Sequence, residues 1–122
     1  MKKETVAVIG ASPKADRFAN RAMLMLREHG HDAVPVNPAF AEILDAKCYP
    51  TISDIPTRID TATLYLRKSH SDLIAQQILK AQPRRIIFNP GAENRDLAEQ
   101  AEKQGIETIE GCTLVMLRAG TF

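Results

Sequence analysis

The sequence predicts a three-layer α/β domain of Rossmann type, a five-stranded and mainly parallel sheet flanked by helices. Two observations carry this: short β-branched apolar runs alternate with segments whose apolar residues recur at helical spacing, and the first such run, Thr5 to Ile9, ends in a Gly10-Ala11-Ser12 turn. Size is a third: 122 residues suffice for one core and not two, so the chain reads as one domain over residues 1–122.

The first strand, Thr5-Val6-Ala7-Val8-Ile9, is apolar on both faces, as a strand in the middle of a parallel sheet must be. The spacing of Phe18, Ala22, Met25 and Leu26, widened by Met23 and Leu24, predicts a helix over Phe18 to His29 that Gly30 stops. Ala33 to Val36 follows as a second strand, in which Pro35 gives up one ladder donor. No periodic pattern survives between Asn37 and Ile59; Pro38, Pro50 and Pro56 punctuate a long connection with one short turn near Ser53-Asp54-Ile55.

The third strand is Ala62 to Leu66. Ser69 or Ser71 is the expected cap of a helix with Leu73, Ile74, Ile78 and Leu79 on its apolar face. Arg85 to Phe88 forms the fourth strand; Asn94 or Asn89 caps a helix from Arg95 to Gln104; Gly105 ends it before a fifth strand at Glu107 to Ile109. Five strands and three clear helices result.

Ligands of such sheets bind beyond the carboxyl ends of the strands, where strand order reverses. Function is therefore expected in five loops: Gly10 to Arg17, Asn37 to Phe40, Arg67 to Ser69, Asn89 to Asn94, and Gly111 to Thr113. After the first strand, Gly10 permits a tight turn, the next helix offers amide donors to a phosphate, and Ser12 adds a hydroxyl. Lys14, Arg17 and Arg21 make this the densest basic cluster in the chain, with Asp16 set beside it. Only Gly10 matches a glycine of the dinucleotide fingerprint, the other two positions being Ser12 and Ala15, so a plain turn with solvated cations is the alternative. NAD proteins usually end the second strand on a carboxylate that holds the ribose hydroxyls; here that position reads Val36-Asn37-Pro38, which favours a phosphorylated ribose, as in coenzyme A or NADP.

Other chemistries are argued against. A net charge of +1 with both signs dispersed offers no basic stripe for nucleic acid, and 44% hydrophobic with 25% charged residues is ordinary globular composition. No run of eighteen apolar residues suggests a membrane span, and the Lys2-Lys3-Glu4 start lacks a secretory pattern, which predicts a cytoplasmic protein. Cys48 and Cys112 read as reduced thiols; were Cys112 to face the crevice, it would be placed for a mixed disulfide with a thiol ligand. His29, His31 and His70 are not spaced as metal ligands, Glu93 and Asn94 serve as well for capping as for catalysis, and no nucleophile elbow, Walker loop or HExxH helix occurs. Neither a catalytic nor a metal residue is assigned.

Taken in order, Val6-Ala7-Val8-Ile9-Gly10-Ala11-Ser12, Pro35-Val36-Asn37-Pro38, Cys48-Tyr49-Pro50 and Asn89-Pro90-Gly91-Ala92-Glu93-Asn94 resemble the small stand-alone CoA-binding domain family. That family is similar to the CoA-binding domain of the succinyl-CoA synthetase alpha subunit. The resemblance implies a Rossmann-like fold holding coenzyme A or an acyl-CoA across the strand ends. By it, the Gly10-Ala11-Ser12 turn with Lys14 and Arg17 holds phosphates, Val36, Asn37 and Pro38 border the adenosine end, and Leu66 and Arg67 flank the pantetheine path. Arg21, Asn89, Pro90 and Gly91 complete the candidate set. The phosphorylated histidine of the synthetase belongs to a further domain, so the expected role is non-enzymatic: a carrier, a sensor, or a ligase-like subunit working with a protein partner or as a homo-oligomer. The alternatives are a subunit of an acyl-CoA enzyme completed by another chain, and a regulatory module for NADP or an adenine nucleotide.

Overall fold

A computed structural model describes residues 2–122. Its main sheet has five parallel strands in the order β2-β1-β5-β6-β7: β1 (Thr5–Ile9), β2 (Asp32–Val36), β5 (Thr61–Leu64), β6 (Arg85–Phe88) and β7 (Glu107–Glu110). Four helices flank it: α1 (Phe18–Glu28), α2 (Lys68–Ala81), α3 (Arg95–Lys103) and α4 (Thr113–Ala119). The predicted class therefore holds, with adjustments. β1 is paired on both sides but lies second in the sheet, and β5 occupies the middle. None of the helices is long and apolar enough to cross a membrane.

Alternation along the strands builds two cores. Ala7, Ile9, Ala62, Leu64, Ile86 and Phe88 face α2 and α3, where Ile78, Leu79, Leu97 and Ala101 are buried against them. Val6 and Val8 face the opposite way, onto Ala19, Met23 and Leu26 of α1 and Leu117 of α4. The predicted apolar faces were too generous. Phe18 is 63% exposed and Leu73 is 81% exposed, because each borders an open cavity above the strand ends instead of packing into a core. Neither predicted serine caps α2: Arg67 occupies the cap position, and Ser71 is buried with its Oγ accepting from Asn94 Nδ2 (2.8 Å). Asn94, not Asn89, caps α3, its Oδ1 accepting from the Leu97 amide (3.1 Å).

The long connection is not featureless. It holds a hairpin of β3 (Glu42–Ile43) and β4 (Ala46–Lys47), then a 3-10 turn at Ile52–Asp54. Leu44 (φ 52) and Asp45 (φ 65) form the hairpin turn; positive φ at both central residues is the type I′ geometry that Asn-Gly usually supplies. Leu44 is held by packing on the α1 core and by its carbonyl, which accepts from Arg27 (2.7 Å). The connection wraps the outer edge of β2. Ile43 and Cys48 bury into one core, Ile52 buries into the other, and Tyr49 pairs with the edge between them. Pro35 is tolerated for this reason. Its carbonyl points outward to the Tyr49 amide (3.0 Å), so its missing N–H also faces the edge and no bond to β1 is lost.

Candidate functional site

Strand order reverses between β1 and β5, and above their carboxyl ends lie two adjoining cavities. The larger, about 470 Å³, is bounded by Gly10, Ala11, Ser12, Lys14 and Arg17 on one side and by Arg67, Pro90 and Gly91 on the other. The smaller, about 320 Å³, is bounded by Val36, Pro38, Pro50, Ile52 and Ile74. Gly10, Asn37 and Leu66 belong to both walls, so these three form the saddle between them.

Gly10 is fixed there by two constraints. Its φ is +86, and a Cβ on it would lie 2.9 Å from Leu66 Cδ2 and 3.1 Å from the Tyr65 carbonyl. Its amide (3.1 Å) and that of Ala11 (3.3 Å) both donate to the Val36 carbonyl, which ties the β1 and β2 loops together. Asn37 adds a second tie, donating from Nδ2 to the Ala11 carbonyl (2.8 Å) while its Oδ1 accepts from the Ala39 amide (2.8 Å). Ser12 Oγ accepts from the Lys14 amide (3.1 Å), which leaves the hydroxyl proton for another acceptor.

Twelve of the fourteen candidate residues thus meet in these walls; Arg21 and Asn89 do not. Arg21 is exposed, its guanidinium 5.5 Å from the Phe18 ring centre. Asn89 lies beneath the site, 2% exposed. Its Nδ2 donates to Thr63 Oγ1 (2.7 Å) and to the Leu64 carbonyl (2.8 Å), and its Oδ1 accepts from the Thr113 amide (2.9 Å). Thr63 and Thr113 hydroxyls are themselves bonded (2.8 Å). Asn89, just past the end of β6, therefore caps α4 and ties it to β5. Burial pushes the Tyr65 phenol up to about 12, so it stays protonated. Cys112 lines neither cavity, and Asp16 is exposed outside the walls.

Sequence reasoning missed the helical wall of the smaller cavity. His70, Leu73, Ile74 and Gln77 of α2 recur at i, i+3, i+4 and i+7, which places them on one stripe over Val36 and Ile52. That spacing is readable, but it points equally to a core face, which is where the apolar pattern places Leu73. Phe18 and Phe40, exposed aromatics of the larger cavity, carry no comparable signal.

The two cavities differ in chemistry. Three cations, Lys14, Arg17 and Arg67, border the larger, no carboxylate borders either, and none of the three makes an ion pair among the described residues. The smaller is walled almost wholly by carbon. A polar, cationic pocket joined to an apolar one suits a ligand that is anionic at one point and flat and apolar at another.

Fold and crevice together are those of a doubly wound α/β domain, a class whose ligands bind at the switch point. Residues 4–118 match the model of the CoA binding domain family, and the chain belongs to that family. It is 28% identical over 116 residues to ADP-forming acetate-CoA ligase I of Archaeoglobus fulgidus, an alignment covering 87% of this chain and 17% of the ligase. It is 22% identical over 120 residues to the uncharacterized protein YneT of Bacillus subtilis, covering 98% of this chain and 89% of that protein. A crystal structure of an uncharacterized protein, 37% identical, aligns over 100% of both chains with a TM-score of 0.90. The chain thus spans about a sixth of the archaeal ligase and most of the bacterial relative.

Proposed function

We propose that this protein binds coenzyme A or an acyl-CoA without itself catalysing a reaction, as a carrier, a sensor or a ligase-like subunit. The observation that carries this reading is the pair of cavities joined at Gly10, Asn37 and Leu66. In this reading the diphosphate lies against the Gly10-Ala11-Ser12 turn with Lys14 and Arg17, the adenine enters the apolar cavity beside Val36 and Pro38, and the pantetheine arm passes Leu66 and Arg67. The second strand ends without a carboxylate, which suits a phosphorylated ribose better than NAD.

A thermal-shift panel with CoA, acetyl-CoA, NAD, NADP and AMP tests it. Ligand at about 100 times its dissociation constant adds about 2.7 kcal/mol, so CoA should raise the midpoint by roughly 10 °C. A shift with NAD or AMP and none with CoA sinks the proposal.

A second reading, a subunit of an acyl-CoA enzyme completed by another chain, is favoured by one observation: the aligned region is 17% of the archaeal ligase. Co-purification of the tagged protein with a ligase-like partner would support it; recovery of the protein alone, fully competent in CoA binding, would count against it.

A further inference from the structure

Hydrogen bonds in the Gly10–Arg17 loop sort its backbone groups into two kinds. The carbonyls of Ala11 and Ser12 are both taken by side-chain amides: Asn37 Nδ2 donates to the first (2.8 Å) and Asn20 Nδ2 to the second (3.0 Å). The carbonyl of Lys14 accepts the Arg17 amide (3.1 Å), and that of Arg17 accepts the amides of Asn20 (3.1 Å) and Arg21 (3.2 Å) in α1. The amides of Ser12, Phe18 and Ala19, by contrast, have no partner among the described residues, and all three residues border the larger cavity. Arg17 supplies no side-chain cap to α1, so nothing of the protein competes for those donors. Asn20 is 2% exposed and borders neither cavity, so the Ser12 oxygen is drawn toward the protein interior.

We propose that Asn20, with Asn37, is a specificity-determining positioning residue: by occupying two consecutive carbonyls it withdraws two acceptors from a wall that carries three open amide donors and so biases the cavity toward anions. A carbonyl turned back into the wall would oppose a phosphate oxygen and remove one acceptor from the interior, both unfavourable. Asn20 touches no ligand in this scheme; it acts through the Ser12 carbonyl. The inference rests on the larger cavity being the phosphate end of the site proposed above.

The test is calorimetric titration of the full chain, wild type and Asn20→Leu, with sodium pyrophosphate, CoA and adenosine. Leucine keeps the volume and removes the donor. Affinity for pyrophosphate and CoA should fall about tenfold in Asn20→Leu, while adenosine affinity stays within about twofold. An equal loss for adenosine, or no loss for pyrophosphate, overturns the proposal. Wild type that binds pyrophosphate but not CoA removes the coenzyme reading and leaves this one standing; wild type that binds no pyrophosphate removes this one. Should Asn20→Leu lose cooperative unfolding, Asn37→Leu, altered at a half-buried position, is read on pyrophosphate alone, with the same tenfold fall expected and an unchanged affinity decisive against the proposal.

Discussion

The two ends of the sheet use the same basic residues in opposite ways. At the amino ends of the strands, Arg85 donates from Nε to Thr61 Oγ1 (2.8 Å), pairs with Glu4 (3.3 Å) and stacks 4.4 Å from the Phe122 ring centre. Beside it Arg84 reaches Glu4 (3.4 Å) and Asp60 (3.5 Å). At the carboxyl ends, Lys14, Arg17 and Arg67 stand around an open cavity that no carboxylate borders, and make no ion pair among the described residues. A cation matched within the chain holds the fold together; a cation left unmatched over a cavity is available to something else. Composition treats the two groups alike, and only geometry separates them.

That contrast is open to direct attack. The largest effect is expected at the closed end. Arg85→Ala takes from Glu4 the more buried of its two arginine partners and removes the buried side chain between Thr61 and Phe122, and should lower unfolding free energy in urea by about 3 kcal/mol, with no change in CoA affinity. Gly10→Ala, strained at its φ and against Leu66, should lose about 2 kcal/mol in the same assay and, because it sits on the saddle, weaken CoA binding as well. The double change Lys14→Ala with Arg17→Ala should do the reverse of Arg85→Ala: CoA affinity by calorimetry falls at least about tenfold, while unfolding shifts by no more than about 0.5 kcal/mol.

A smaller effect follows pH. His31 Nδ1 accepts the Glu4 amide (3.0 Å), which requires that nitrogen to be unprotonated, and burial holds the imidazole below its ordinary value of 6.5. The unfolded chain therefore takes up this proton first. Stability from His31 is complete above about pH 6.5 and is lost as pH falls through the lower folded value. Asp72, held below its usual carboxylate range by its hydrogen bond to Lys68, acts only in a more acid window. Melting temperature should fall between pH 7 and pH 5, and His31→Asn, which retains an acceptor without the titration, should flatten that slope; an unchanged slope would refute the assignment. The smallest expected effect is a gain: Asp45→Gly, at a φ of 65 in the hairpin turn, should add about 0.5–1 kcal/mol.

Much of this molecule was legible in its sequence, for identifiable reasons. β1 and β6 were readable to the residue because a buried parallel strand is a continuous apolar run bounded by polar residues. α4 escaped because its two turns follow Cys112 with no side-chain cap of their own; the capping acceptor is Asn89, 24 residues earlier in the chain. The hairpin escaped because Leu44-Asp45 carries none of the turn residues that announce a type I′ geometry. At the site, the glycine turn and the cations were visible because they cluster locally. The α2 wall was hidden because an apolar stripe facing a cavity is written like one facing a core, and Asn20 because its role lies in a hydrogen bond to a loop eight residues before it.

Pro35 has one more consequence. A sheet with bare edges invites another chain to add a strand, and this protein discourages that on both sides by different means. At β2 the ladder is broken by a residue with no donor and overlaid by Tyr49. At β7 the run is only four residues and begins and ends on exposed glutamates. Both edges are thereby poor templates for an added strand, which disfavours edge-to-edge pairing between copies of this chain.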